Sequence, residues 1–417
     1  MKDIGQIIEA NIPGQGYSRI SLADGRIAQV ERIGPEEQSA PYCSPGFVDL
    51  QINGFAGIDF SSPDLDEAAL ARILPTLWST GTTSIFATLI TNTLEQLARN
   101  FRQLEQARKS VPGFAETVPG YHLEGPYMSP GPSRGVHNPD LMRLPDIAEF
   151  ERLQDAAGGN IRVLTVAPER PGALELIRHA SRHGVVVALG HTDGGAGDIH
   201  QAAAAGAALN THLGNGSPQM MHRHQAPFWA QLADDRLAAC IICDGFHLPP
   251  EIVSIIHRTK GLANCILVTD AVHVAMLPPG RYSLVGKEIE LLASGQVVAA
   301  DGKSLAGSVA TLGQCVCTFM NMTGVALPDA MELATTRPAR FFPGLSICHG
   351  FTPNEPANFI LFAHRDGKIV VETTLLHGKP VYRRQPLEGW RKLEPGLKAG
   401  VMSIVHSSKS RISRTSS

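Results

Sequence analysis

IRVLTVAPERPGALELIRHASRHGVVVALGHT, residues 161–192, holds two apolar runs with an amphipathic segment between them. The outer runs, IRVLTVAPE (161–169) and GVVVALGHT (184–192), are apolar at most positions. A strand with one wet face alternates, whereas a strand covered on both faces does not. The middle segment, GALELIRHASRHG (172–184), repeats its apolar residues at three- and four-residue spacing, which predicts a helix. Strand, helix and strand in that order make a βαβ unit with parallel strands.

The same unit recurs outward in both directions. Further strand-like runs are GFVDLQI (46–52), TTSIFATLI (82–90), VPGYHLEG (118–125), AALNTHLG (207–214), LAACIICDG (237–245) and CILVTDAV (265–272). Helical spacing appears in residues 65–81, 94–109, 198–208, 249–261 and 311–324. Eight strands alternating with helices predict an α/β fold, a (β/α)8 barrel spanning residues 45–345. An open doubly wound sheet is the competing arrangement, but no Gly-rich dinucleotide turn follows the first strand.

Residues 1–44 and 346–385 read differently, as short polar strands with Asp24-Gly25 and Asp366-Gly367 as hairpin turns. They are expected to pair into a small β-sandwich domain built from both chain ends. Residues 282–303 read as a further hairpin inserted after the eighth strand. The Lys/Arg/Ser-rich tail, 386–417, has the composition of a disordered segment.

Composition narrows the function. The formal net charge is −3 over 417 residues, so no bulk attraction to nucleic acid or to an anionic membrane is expected. No apolar run reaches the roughly 20 residues that a spanning helix needs. The start, MKDIGQIIEANIPG, lacks a signal-peptide core. The seven cysteines are scattered, and Cys240 and Cys243 sit in an apolar run that reads as a buried strand. A reduced, cytoplasmic setting follows as the expectation.

Chemistry gathers at the strand ends. Strand three ends in Glu124, strand five in His191, strand six in His212, strand seven in Asp244 and His247, and strand eight in Asp270. In a (β/α)8 barrel these ends open on one face, where active sites are built. A carboxylate and two imidazoles are a common ligand set for a catalytic zinc, which keeps a position open for water. One divalent metal per subunit, zinc by this donor set, is therefore expected at Glu124, His191 and His212. Asp270 is left free to carry protons. His122, two residues before Glu124, reads as structural.

The stretches PGFVDLQING, HLEGPYMSPGPSRGVHNP, LGHTD, NTHLGNGSP, CDGFHLPP, LVTDAV and LAGS resemble the amidohydrolase superfamily. Within it they are similar to the N-acetylglucosamine-6-phosphate deacetylases, in order and spacing, over residues 45–310. The resemblance implies a metal-dependent hydrolysis of the acetamide of an amino-sugar phosphate, in a homodimer. Many members carry His-x-His at the end of strand one to help hold a second metal. Gln51 and Asn53 stand there in this chain, and an amide is a poor zinc ligand. The resemblance is thus to the one-metal branch, with Gln51 and Asn53 as vacated second-metal positions. Strand four also lacks a lysine to bridge two metals.

By the same resemblance Val136, His137, His247, Leu305, Ala306 and Gly307 face the sugar and its acetyl group. Asn215 and Gly216 offer backbone N–H groups to the phosphate. Arg223 reaches the active site of the neighbouring subunit. Gly214-Asn215-Gly216 replaces the aromatic-Asn-Ala common in the family, and Arg337-Pro338 replaces Asn-Pro. The galactosamine epimer, and another amide hydrolase or deaminase of the superfamily, remain open readings.

Overall fold

The structure, a computed structural model, describes residues 5–300, 302 and 304–385. The tail expected to be disordered lies outside the described residues.

Eight parallel strands form one sheet: β1 (Phe47–Ile52), β2 (Thr82–Ile90), β3 (Gly120–Glu124), β4 (Ile161–Val166), β5 (Val186–Leu189), β6 (Ala207–Asn210), β7 (Ala238–Ile242) and β8 (Cys265–Val268). Each strand is followed by a helix: α1 (Glu67–Ser79), α2 (Leu94–Ser110), α3 (Ile147–Ala156), α4 (Ala173–Arg182), α5 (Ala196–Ala205), α6 (Pro227–Ala233), α7 (Pro250–Lys260) and α8 (Leu312–Thr323). This is the expected (β/α)8 barrel. The apolar stripes of α1, α2 and α4 pack on the outer faces of the strands, which explains why those strands do not alternate. Polar side chains cap the starts of α1, α2, α3 and α8, as where the Asp66 carboxylate accepts the Ala69 N–H at 2.7 Å.

The barrel interior is filled by side chains. Val48, Phe86, Val163, Ala188, Leu209, Cys240, Ile266 and Val268 form one apolar cluster, plugged at the base by Phe342. The Phe86 and Phe342 rings lie 4.3 Å apart. Phe86→Ala is expected to lose about 3–5 kcal/mol of stability, from lost transfer free energy and an uncollapsed cavity. Chemical denaturation with the metal site loaded tests this, and a loss below about 1 kcal/mol would show that the interior repacks.

The seam between β8 and β1 is closed by a side chain as well as by backbone. The Asp49 carboxylate accepts the Thr269 N–H at 3.2 Å and its hydroxyl at 2.5 Å. Just above, Asp270 N–H donates to Gln51 C=O at 2.9 Å. The seam therefore fixes the height of Gln51 against Asp270.

The chain ends combine, in a single hydrogen-bonded sheet of seven strands. Its order is 379–383, 368–376, 359–365, 42–45, 6–12, 16–23 and 26–34. Its core includes Ile8, Ile20, Cys43, Phe359 and Leu375. Asp24-Gly25 and Asp366-Gly367 turn the hairpins with positive φ at both residues, as their sequence demands. The insertion after β8 gains a strand over the expected hairpin, forming a three-stranded antiparallel sheet from 280–284, 287–291 and 297–299. All seven cysteines are free and buried. No helix among the described residues is long and apolar enough to cross a membrane.

Candidate metal centre

Glu124, His191 and His212 meet at the mouth of the barrel. His191 Nε2 and His212 Nε2 lie 3.3 and 3.2 Å from Glu124 Oε1 and 3.1 Å from each other. Donors about 2.0–2.2 Å from one tetrahedral zinc stand about 3.3 Å apart, so the triangle has the right edge. All three residues are at most 5 % exposed.

The hydrogen bonding shows what the triangle lacks. A carbonyl can only accept, so the 3.0 Å contact of His191 Nδ1 with Ser133 C=O places the proton on Nδ1. Nε2 of His191 then presents a lone pair to a carboxylate oxygen, an arrangement that needs a cation between them. His212 Nδ1 is buried without a partner. Burial works against charge on His212, but the Glu124 carboxylate outweighs it and lifts the imidazole above its ordinary value. Burial would likewise raise Glu124, yet the two histidines hold it well below the usual carboxylate range. Positive charge is required here, as a proton or as a metal. His137 joins the group, with a ring nitrogen within 4.8 Å of ligand atoms of Glu124 and His191. The edges of the Glu124–His191–His212 triangle, 3.1 to 3.3 Å, lie well inside that limit.

Backbone conformation aims these groups. His191, His212 and Asp270 have φ of 49°, 28° and 49°, a region that non-glycine residues seldom adopt. Each follows the last residue of its strand within two positions, so the chain turns sharply and lifts the side chain over the barrel mouth. Beneath them, His122 Nδ1 donates to Leu50 C=O at 3.0 Å, and its Nε2 accepts the Thr165 hydroxyl at 2.7 Å. Burial pushes His122 down to about 4, so it stays neutral and structural.

The vacated positions are occupied by amides acting as donors. Gln51 Nε2 donates to Glu124 at 2.8 Å and to Asp270 at 3.2 Å. Asn53 Nδ2 donates to Asp270 at 2.6 Å. Gln51 thus links the two carboxylates, and Asn53 adds a second donor to Asp270. Burial first, and then the Glu124 charge, push Asp270 up to about 6.

A cavity of about 600 Å³ opens above the triangle. Val136, His137, Asn215, Gly216, His247, Leu305, Ala306 and Gly307 line it with Asn53 and Asp270, so the structure gathers nearly all the expected residues. His137 Nδ1 hydrogen-bonds Thr91 Oγ1 at 2.8 Å, and burial lowers it to about 3, leaving the ring neutral. His247 Nδ1 donates to Asp244 at 2.7 Å, which turns its Nε2 away from that pair. Gly307 has φ of +79°, and a Cβ there would come 2.5 Å from Val272, so glycine is needed for this wall. Arg223 is the exception: it is exposed and does not line the cavity of its own chain. Sequence reasoning missed Thr91, Ser133 and Arg134. The first two are short hydroxyl residues whose role is set by distant partners, and no local pattern announces them.

The pattern defining the amidohydrolase family matches residues 42–381. An N-acetylgalactosamine-6-phosphate deacetylase of Escherichia coli O157:H7 is 32% identical, covering 82% of this chain and 89% of its own. An N-acetylglucosamine-6-phosphate deacetylase of Bos taurus is 33% identical, covering 84% and 87%. Among solved structures, an Asp-to-Ala variant of the Mycobacterium smegmatis N-acetyl-D-glucosamine-6-phosphate deacetylase, in complex with N-acetyl-D-glucosamine-6-phosphate, superposes with a TM-score of 0.80. It is 30% identical and covers 90% of this chain and 99% of its own. With the barrel, the ligand triangle and these likenesses in hand, the chain belongs to the amidohydrolase family and is a metal-dependent hydrolase.

Proposed function

We propose that this enzyme hydrolyses the acetamide of N-acetylglucosamine 6-phosphate to acetate and glucosamine 6-phosphate. The observation that carries the reading is one ligand triangle with one separate carboxylate, Asp270, at the floor of a cavity sized for a sugar phosphate. The relatives named above act on the two epimers of this substrate class.

The metal is zinc, one per subunit, held by Glu124, His191 and His212; nitrogen and oxygen donors at this spacing suit it. When bound, it polarises the acetyl carbonyl and makes water more acidic. Asp270 takes a proton from the attacking water as the new C–O bond forms. Asn53 and Gln51 hold the carboxylate in position for that transfer. As the C–N bond breaks, Asp270 returns the proton to the nitrogen, so an amine departs and not an amide anion. His137, kept neutral, and His247, fixed through Asp244, contact the sugar and the developing oxyanion. The backbone N–H of Gly216 meets the phosphate, while that of Asn215, expected to share in this, is taken by His212 C=O at 2.9 Å.

Arg223 serves the site of a neighbouring copy in a homodimer. Supporting this, it lies outside its own cavity, next to Met220 at 91% exposure and Met221 at 43%. A monomer by light scattering at micromolar concentration would remove this part of the reading.

The test is acetate release from the 6-phosphates of N-acetylglucosamine and N-acetylgalactosamine and from the unphosphorylated sugars. The gluco phosphate is expected to give the highest kcat/KM. A higher value for the galacto phosphate would transfer the assignment to that epimer, which the Escherichia coli relative favours. Faster turnover of N-acyl amino acids, or ammonia release from bases, would overturn the reading.

A further inference from the structure

We infer that Arg134 is an in-subunit contact for the substrate phosphate and the main source of preference for phosphorylated sugar within one chain. The inference rests on the amino-sugar phosphate reading above.

Among the described residues lining the cavity, Arg134 is the one lysine or arginine. The two carboxylates there, Glu124 and Asp270, are taken up by the histidines and by Gln51 and Asn53. No hydrogen bond or ion pair engages the Arg134 guanidinium among the described residues. Lys287 donates to Val136 C=O at 3.0 Å but does not line the cavity.

An unpaired exposed arginine is usually a solvated one, so the backbone around it matters. Here it is pinned on both sides. Ser133 before it bonds Thr192 C=O at 2.8 Å and Asp193 at 2.6 Å through its hydroxyl. Arg134 N–H donates to Gly131 C=O, and Arg134 C=O accepts His137 N–H, each at 3.2 Å. Ser133 C=O holds the ligand His191, so the turn is tied to the metal centre itself. The guanidinium is left as the free donor on a fixed stem.

A second donor lies in the other turn bordering the cavity. Asn215 lines the cavity, and its Nδ2 is buried with no hydrogen-bond partner among the described residues. A phosphate monoester carries close to two negative charges at neutral pH, and a guanidinium fork matches two of its oxygens. Both turns, residues 132–137 and 214–217, border the cavity, and we place the phosphate between them, with Arg134 on one side.

The experiment compares full-length, zinc-loaded Arg134→Gln and Arg134→Lys with the parent. The readout is the ratio of kcat/KM for N-acetylglucosamine 6-phosphate to that for N-acetylglucosamine. Arg134→Gln is expected to lower this ratio about 30-fold, mostly through KM, with zinc content near one. Arg134→Lys, which keeps the charge without the fork, is expected to recover part of it. The KM of the parent for the phosphate is expected to rise with salt, and that of Arg134→Gln to rise less. A ratio within twofold of the parent in Arg134→Gln overturns the role of Arg134 and leaves the proposed function standing. A parent that shows no preference for phosphate overturns both.

Discussion

Asp270→Asn is expected to keep its metal and to lose about 10³–10⁴-fold in kcat, the upper part of the range for a positioned proton carrier. The substitution is isosteric, and its amide oxygen can still accept from Asn53, 2.6 Å away in the parent. Folding and the ligand triangle should therefore survive, because Asp270 is not one of the three converging ligand atoms. What the amide cannot do is take a proton from water and return it to the leaving nitrogen. Measured KM should move little compared with kcat, and metal analysis should still give about one zinc. Activity within tenfold of the parent would show that another group moves the proton.

The second large effect concerns the metal. His212→Ala removes one corner of the triangle and leaves Glu124 buried with a single imidazole. Metal affinity is expected to fall by well over 100-fold, more than the loss typical of an outer-shell change. Activity should fall in parallel and return in part at high zinc concentration. Protons compete for the same place. In the metal-free protein burial works against a charged His212, but the Glu124 carboxylate outweighs it, so His212 takes up its proton at a higher pH than an ordinary imidazole. A metal must displace that proton. Apparent affinity should then drop about tenfold per pH unit on the acid side, and level off once His212 is neutral. Titration calorimetry between pH 5.5 and 8 tests this, and a flat affinity would mean that His212 carries no proton in the metal-free state.

Much of this was legible in the sequence. The eight strands stood out because burial on both faces leaves near-continuous apolar runs. The strand-end ligands followed because the barrel topology sends all C-terminal ends to one face. Helices α3 and α6 were not picked out: α6 has only 7 residues, while α3, at 10, is as long as α4, whose period was read. The terminal strands were visible, but alternation does not say which edge meets which, so the order of the seven strands was not. The positive φ of His191, His212 and Asp270 leaves no mark in a residue string. Gln51 and Asn53 were read as vacated, and their work as donors to two carboxylates appears only when the seam of the barrel sets them at the right height. Arg223 was placed by resemblance, and its position outside the cavity of its own chain is a fact of the tertiary structure.

The seven-stranded sheet has a consequence for the order in which the protein can be made. Strand 42–45 sits between 6–12 and 359–365, so its second neighbour leaves the ribosome about 300 residues after it. At roughly 5–20 residues per second that is a delay of tens of seconds. Throughout it, the nascent amino-terminal strands present an open edge, the kind that recruits foreign strands. Release of the finished polypeptide, and not emergence of its first hairpins, is the event that seals them.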